Sequence, residues 1–249
     1  MAAQKKTNNA DGEMSVAAHL RELRRRLLVY LGALALCLPI GLRFAPELVR
    51  LLLSLGEKYQ YRFVYLSPEE LLLEYLSVDL AASLCATLPV LLYEVWMFLR
   101  PGLKRGERLA VLAAMVCGTL CAVLGAAFAY RIMTPFVLRF LSSLNTEVGI
   151  ASSVSVRNYL SFLLTQLAVF AAVFELPVIL AMLTWFGLVR AETLRRARKP
   201  IIVLCFLLAA IITPPDPLSQ IMVAVPLLLL FELSIALCSI LEKRHGKQK

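Results

Sequence analysis

Long apolar segments dominate this sequence, and most of them have enough residues to cross a lipid bilayer as a helix. Such a crossing needs about 20 predominantly apolar residues, and the segment 109–130 contains no charged residue. Of the 249 residues, 60% are hydrophobic and 17% are charged, whereas soluble domains have about 45–50% and about 25%. The sequence therefore predicts an integral membrane protein. It excludes a cytosolic enzyme, a disordered chain and a secreted disulfide-rich module.

The apolar segments are continuous rather than alternating, which favours an all-α membrane protein over a β-barrel. We expect six transmembrane helices, at the approximate positions 27–43, 76–99, 109–131, 157–183, 199–213 and 218–236. The fifth is short, so it requires little tilt, a thinner bilayer or shielding by its neighbours. The expected division is a disordered polar tail over 1–14, a single membrane domain over 15–241 and a basic C-terminal tail over 242–249.

Most lysines and arginines lie in four segments: the N-terminal segment, the second-to-third connection, the fourth-to-fifth connection and the C-terminal tail. Short loops rich in these residues stay in the cytoplasm. Both termini are therefore predicted to be cytoplasmic, as six crossings also require. The net charge of +9 is explained by this orientation signal, and we expect no nucleic-acid partner.

Neither a metal site nor a catalytic site can be assembled from the sequence. The six cysteines lie within apolar segments without a CxxC pair, and neither histidine has a second ligand near it in sequence. Gly-rich phosphate-binding motifs are absent, and no nucleophile is paired with a base. We therefore expect no catalytic residue, no metal and no cofactor, in a protein that is not an enzyme.

One acidic residue lies deep in the fourth predicted span. Glu175 is followed closely by Pro177, and an acid at the bilayer centre costs about 2.5–3.5 kcal/mol on insertion scales. Pro177 also removes a backbone hydrogen bond and weakens the helix there. Two interpretations stay open: a functional carboxyl that faces water or a partner, and a buried carboxyl that bonds a neighbouring helix for structure alone.

A proline-rich turn separates the last two predicted spans. Pro214 and Pro215 precede Asp216, and a further proline follows it, so a helix cannot continue through this segment. The pattern predicts a tight hairpin at the outside surface of the membrane, with Thr213 and Gln220 near the membrane edge. Their hydrogen-bonding side chains serve either the turn and the next helix start or a docked partner.

The loop between the first two predicted spans is expected to be ordered. The leucines within 45–55 share one helical face, which indicates a short interfacial helix. Ser67 and Glu70 then form a helix-start pattern around Pro68, in which Ser67 caps the helix and Glu70 closes a capping box. We therefore expect a structured cap on the outside face.

Two acidic residues are isolated among basic ones on the predicted cytoplasmic side. Glu22 is the lone acid among four arginines, and Glu107 is likewise surrounded by lysine and arginine. The simplest interpretation of Glu22 is an intrahelical ion pair with Arg25 or Arg26, worth about 0.2–0.5 kcal/mol.

Four motifs follow one another along the chain at matching topological positions. They read HLRELRRRL at 19–27, PVLLYEVWMFLRPGL at 89–103 with an acid–arginine pair at 107–108, FELP at 174–177, and TPPDPLSQ at 213–220 with FE at 231–232. Each motif alone is weak, whereas the ordered set is highly specific. On these motifs the chain resembles the TatC family, the multispanning subunit of the twin-arginine protein translocase, from His19 to about Glu232.

The resemblance implies a glove-shaped, concave bundle of six transmembrane helices in the bacterial cytoplasmic (inner) membrane, with both termini cytoplasmic. It implies a receptor for twin-arginine signal peptides, which is also the core subunit of a translocase that moves folded proteins with the proton-motive force. The implied partners are TatA- and TatB-type single-span proteins, signal peptides of folded cargo, further copies of the chain and the lipid bilayer.

The resemblance also assigns a signal-peptide site. Glu22 and Glu107 occupy the family's acidic positions, with Arg21 and Glu94 beside them, and carboxylates bind paired arginines through strong fork-shaped hydrogen bonds. The family commonly has glutamine where this chain has Glu94. This departure either changes which signal peptides the site prefers or gives Arg100 an ion-pair partner.

The remaining polar residues take roles from the same resemblance. Glu175 becomes a polar point inside the concave face, and Thr213 and Gln220 contact the spans of partner proteins. Other functions stay open on the residues alone. They are a proton-coupled transporter that uses Glu175 as its proton carrier, an intramembrane enzyme, and a structural scaffold without affinity for a twin-arginine peptide.

Overall fold

The computed structural model describes residues 16–99, 108–148, 153–213 and 217–245. The predicted tail over 1–14 lies outside these ranges, as do Glu107 and the hairpin residues Pro214, Pro215 and Asp216. The chain is mostly helical. Its helices are α1 (Val16–Glu57), α2 (Glu70–Leu99), α3 (Arg108–Phe128), a π-helical turn (Ala129–Met133), α4 (Thr134–Val148), α5 (Val156–Trp185), α6 (Ala191–Arg196), α7 (Arg198–Ile212) and α8 (Pro217–His245).

Five helices within the described ranges are long and apolar enough to cross a membrane. They cover Leu20–Glu57, Glu70–Val95, Leu112–Ser143, Val156–Trp185 and Pro217–Lys243. The short fifth span expected over 199–213 corresponds to α7, which has 15 residues and is therefore about 22 Å long. The architecture is that of a helical membrane protein with several apolar helices.

The first helix is longer than the sequence indicates. The expectation of a separate interfacial helix over 45–55 is wrong, because α1 continues without a break to Glu57. Pro46 lies inside the helix, where its missing N–H removes only one helical bond. Tertiary packing compensates for that loss: Val49 and Leu52 are buried in a cluster that also contains residues of α2 and α5.

The end of the bundle where α1 ends and α2 begins carries a small ordered cap. Strand β1 (Arg62–Val64) pairs in parallel with β2 (Ser153–Ser155), and the two strands form a two-stranded sheet. Tyr61 is buried and donates its hydroxyl to the Leu138 carbonyl at 3.2 Å. Burial raises the pKa of Tyr61, which keeps this hydroxyl protonated as a donor. We call this assembly, from the end of α1 to the starts of α2 and α5, the cap.

Glu70 connects three segments of the cap. Its carboxylate reaches back and accepts the Leu66 N–H at 2.7 Å, one residue before Ser67, where the expected capping box placed this bond. Its other oxygen accepts the Ser155 hydroxyl at 2.6 Å and the Arg157 N–H at 2.9 Å. The Arg157 N–H belongs to the first turn of α5, which has no cap of its own from the Ser155 side chain. Glu70 therefore caps a second helix that lies far from it in sequence.

The largest buried core lies between the π-helical turn, α5, α7 and α8. Phe170, Ala209 and Val223 are fully buried there. In the π-helical turn the Thr134 N–H bonds the Ala129 carbonyl, five residues back, and such turns add one residue to a helix. The turn lies in the middle of an apolar helix that hydropathy alone describes as regular.

Candidate functional site

A cluster of one guanidinium and two carboxyls joins α1 to α2 at the end of these helices opposite the cap. Arg26 donates through Nε at 3.0 Å and through Nη2 at 2.7 Å to the same oxygen of Glu22, Oε1. Through Nη1 it donates to Oε2 of Glu94 at 3.1 Å. We call Glu22, Arg26 and Glu94 the carboxylate–arginine cluster.

The helices bring these three side chains together for simple reasons. Glu22 and Arg26 are four residues apart in α1, so they lie on one face, one turn apart. Helix α1 runs towards the cap and α2 runs away from it. The two helices are therefore antiparallel, and the first turns of α1 meet the last turns of α2. Glu94, near the end of α2, is thereby placed opposite Arg26 although 68 positions separate them in sequence.

The cluster is partly withdrawn from solvent. The relative exposure of the side chain is 8% for Glu94, 20% for Arg26 and 23% for Glu22. Two carboxylates and one guanidinium leave one formal negative charge, and ionised hydrogen-bonding groups make stronger bonds than neutral ones. No described residue donates to Glu22 Oε2 or Glu94 Oε1. The cluster therefore has acceptor atoms and charge for one further cationic donor.

The structure brings together some of the predicted site residues. Glu22 and Glu94 meet through Arg26, whereas Arg21 is exposed on α1. Glu107 and the partner expected for Glu94, Arg100, lie outside the described residues.

Arg26 is the residue that the sequence-based site did not include. Spacings of three and four residues make Arg25 and Arg26 the two possible ion-pair partners of Glu22. The structure pairs Glu22 with Arg26, whereas Arg25 is exposed. The contact of Arg26 with Glu94 depends on how α1 and α2 pack, and nothing in the local sequence indicates that contact.

Glu175 is buried within α5, with 7% relative exposure. Its side chain lies against Gly118 of α3, so close that a Cβ at Gly118 would be 2.7 Å from Glu175 Oε2. The other oxygen, Oε1, is buried and has no hydrogen-bond partner among the described residues. Oε1 therefore makes no interhelical hydrogen bond within the described part of the chain.

An apolar cavity of about 550 Å³ adjoins this part of α5. Residues of α3, α5 and α8 line it, among them Cys117, Phe174, Pro177 and Leu233. Its walls are almost entirely apolar, so it is a packing space beside Glu175 rather than a polar binding site.

Thr213 and Gln220 both bond to α7. The Thr213 hydroxyl donates to the Ala209 carbonyl at 2.9 Å, and Gln220 Nε2 donates to the Phe206 carbonyl, also at 2.9 Å. The Gln220 bond ties the first turn of α8 to α7.

Thr213 is 5% exposed, and it lines a half-polar cleft of about 460 Å³ together with Asn158, Thr165 and other residues. Thr213 thus closes the end of α7, whereas Gln220 joins α8 to α7 and keeps its oxygen as an acceptor.

Within the described ranges, no group of three or more His, Cys, Asp or Glu side chains is placed to hold a metal ion.

Long apolar helices, a charged cluster at one end and a carboxyl buried within the bundle define a multi-pass helical membrane protein with polar sites. The family described as "Sec-independent protein translocase protein (TatC)" matches residues 18–226 of this sequence. The chain belongs to the TatC family, as its motifs predict.

Individual relatives agree with this assignment. The chain is 33% identical over 217 residues to the TatC protein of Helicobacter pylori (strain J99), covering 87% of this chain and 86% of the relative. It is 36% identical over 227 residues to TatC of Aquifex aeolicus (strain VF5), covering 90% and 94%. A crystal structure described as the twin-arginine translocase receptor TatC superposes with a TM-score of 0.83 at 36% identity, covering 90% of this chain and 99% of that one.

Proposed function

We propose that this chain is the signal-peptide receptor and core subunit of a twin-arginine translocase, which moves folded proteins across the membrane with the proton-motive force. Membership of the TatC family supports the proposal, as does the likeness to a structure described as a receptor. The observation that carries it is the carboxylate–arginine cluster, because it offers acceptors and one unbalanced negative charge at the end of two membrane helices.

The arginine pair of a signal peptide binds at this cluster. One guest guanidinium uses Glu22 Oε2 and Glu94 Oε1, the two oxygens to which no described residue donates. Two nitrogens in a fixed fork can reach two carboxylates at once. Glu107 supplies the carboxylate for the second guest arginine, and the exposed Arg21 limits the approach of other cations.

The chain lies in the bacterial cytoplasmic membrane with both termini in the cytoplasm. The basic connections support this orientation through the positive-inside rule. Helix α7 serves as the short fifth of six crossings and completes a concave, glove-shaped bundle, with a polar tail over 1–14 and a basic tail over 242–249. In this orientation the cluster faces the cytoplasm, where cargo arrives, and the cap faces the opposite side.

Partner proteins of the TatA and TatB type bind along α7 and α8, and further copies of the chain join the receptor complex. The cleft beside Thr213 and the acceptor oxygen of Gln220 support the first contact. An interhelical hydrogen bond in lipid contributes about 0.6 kcal/mol on average, which suits partners that exchange. The unpartnered Oε1 of Glu175 accepts from a partner helix or from water.

Replacing Glu22 with glutamine should reduce transport of a folded reporter with a twin-arginine leader by roughly tenfold, because one charge-assisted hydrogen bond corresponds to at least this factor. The measurement is uptake of the reporter into membrane vesicles that contain the complete translocase. Glu57→Gln is the matched control, since it removes an exposed acid at the other end of the same helix. Normal transport by Glu22→Gln, with a lysine–lysine leader still rejected, would remove the cluster from the receptor site.

A further inference from the structure

The carboxylate–arginine cluster already contains the chemical group that the proposed cargo would bring. Arg26 satisfies one oxygen of Glu22 and one of Glu94 with the same fork geometry that a signal-peptide arginine would use. We propose that Arg26 is a resident occupant of the signal-peptide site, which holds the two carboxylates together without cargo and sets the discrimination between arginine and lysine. This inference rests on the proposed function.

The charge of the cluster depends on Arg26. Without Arg26, Glu22 and Glu94 would be two carboxylates facing each other at a partly buried helix interface. Their negative charges would repel each other, and together they would attract any cation. With Arg26 in place the net charge of the cluster is one negative unit, so one guest cation neutralises it. Arg26 therefore fixes how many cations the cluster can take.

Arg26 shares the two carboxylates with any guest cation. A guest guanidinium can bridge the two oxygens that Arg26 leaves, as Arg26 bridges the other two, because both groups are planar forks that remain charged. A guest ammonium is a strongly hydrated point charge without that fork, so it matches the two remaining oxygens less well. The resident arginine thus penalises lysine more than arginine at the same two carboxylates.

The helix interface is closed on one side of the cluster. Tyr30, one turn beyond Arg26 on the same face of α1, is 9% exposed, and Thr87, two turns before Glu94 in α2, is 2% exposed. The α1–α2 interface is therefore closed on the side that leads towards the cap. A guest that approaches from the helix ends meets the guanidinium of Arg26 beside Glu22 and Glu94.

The net charge of the cluster predicts a distinctive pattern among variants of the full chain, reconstituted with its partner subunits. The measured quantity is the affinity for two synthetic signal peptides that differ only in arginine–arginine or lysine–lysine. Arg26→Gln should raise affinity for the lysine peptide by roughly tenfold and that for the arginine peptide less, so discrimination falls. Glu94→Gln should lower affinity for the arginine peptide by roughly tenfold, because the cluster then has no net charge.

The double variant Arg26→Gln/Glu94→Gln restores one net negative charge. It should recover most of the affinity for the arginine peptide, while discrimination against lysine stays low. Arg25→Gln is the matched control, since it makes the same change in net charge from an exposed neighbour and should leave both affinities unchanged. Arg26→Lys keeps the charge but loses the fork, so it should raise affinity for the lysine peptide even if Arg26→Gln does not fold.

A purely structural Arg26 gives a different result. Arg26→Gln would then weaken the binding of both peptides and lower the melting temperature of the protein. The double variant would not recover the affinity that Glu94→Gln loses. Either result overturns the inference. The Glu22→Gln variant separates this failure from that of the proposed function. If Glu22→Gln loses binding but neither Arg26→Gln nor Arg26→Lys gains affinity for the lysine peptide, only the role of Arg26 as resident occupant is rejected. If Glu22→Gln binds the arginine peptide fully, the signal-peptide site itself is rejected.

Discussion

Glu70→Ala should lower the free energy of unfolding by about 3–5 kcal/mol, because one buried carboxylate accepts three hydrogen bonds that join separate segments. The Leu66 N–H, the Ser155 hydroxyl and the Arg157 N–H would all lose their acceptor. Glu70 itself is 3% exposed, so water cannot readily replace it in the intact cap. The measurement is unfolding of the purified protein in mixed micelles, monitored through its helical signal.

Two controls define what this result means. Glu70→Gln keeps the shape of the side chain and an acceptor oxygen, so we expect a smaller loss than for alanine. Glu69→Ala removes an exposed neighbouring acid and should be close to neutral. A Glu70→Ala protein as stable as the Glu69→Ala control would show that the cap does not depend on this carboxylate.

Gly125→Ala should destabilise the packing of α3 against α5 by about 1–3 kcal/mol, a range typical of overpacked cores. A Cβ at this position would be 2.5 Å from the Phe170 carbonyl oxygen and 2.9 Å from the Phe174 side chain. The nearest atom belongs to the backbone of another helix, so a rotamer change cannot relieve the contact. Small residues allow this kind of close approach between helices in membranes.

Gly32→Ala is the control for this substitution. Gly32 lies in α1, and a Cβ at this position would meet no neighbouring atom within 4 Å, so alanine should cost nothing there and gain helix propensity. The two variants are compared by melting temperature in the same detergent. Equal melting temperatures would mean that α3 and α5 can separate at Gly125 without cost.

The sequence predicted the parts of this protein that depend on local pattern. Apolar length predicted the five helices that are long enough to cross a membrane, and the helix-start pattern at 67–70 predicted the region where α2 begins. Four ordered motifs predicted the family. Each of these signals lies within one segment, where hydropathy, spacing and capping chemistry act directly.

The features that the sequence did not predict depend on contacts between distant segments. The Arg26–Glu94 pair and the second role of Glu70 join residues 68 and 85 positions apart. The continuation of α1 through Pro46 depends on packing that outweighs a local helix-breaking signal. The π-helical turn at Ala129–Met133 follows no local signal in its apolar helix. Local patterns give the elements, but packing decides which charged groups meet.

The most direct measurement maps where the arginine pair of a signal peptide binds. A photoreactive residue placed beside the pair is activated in membranes that contain the translocase, and the adducts on this chain are identified by mass spectrometry. We expect adducts on the first turns of α1 and the last turns of α2, lost with a lysine–lysine peptide and strongly reduced in Glu22→Gln. Adducts that require the arginine pair, yet lie only on α7 and α8 and persist in Glu22→Gln, would contradict a receptor site at Glu22, Arg26 and Glu94.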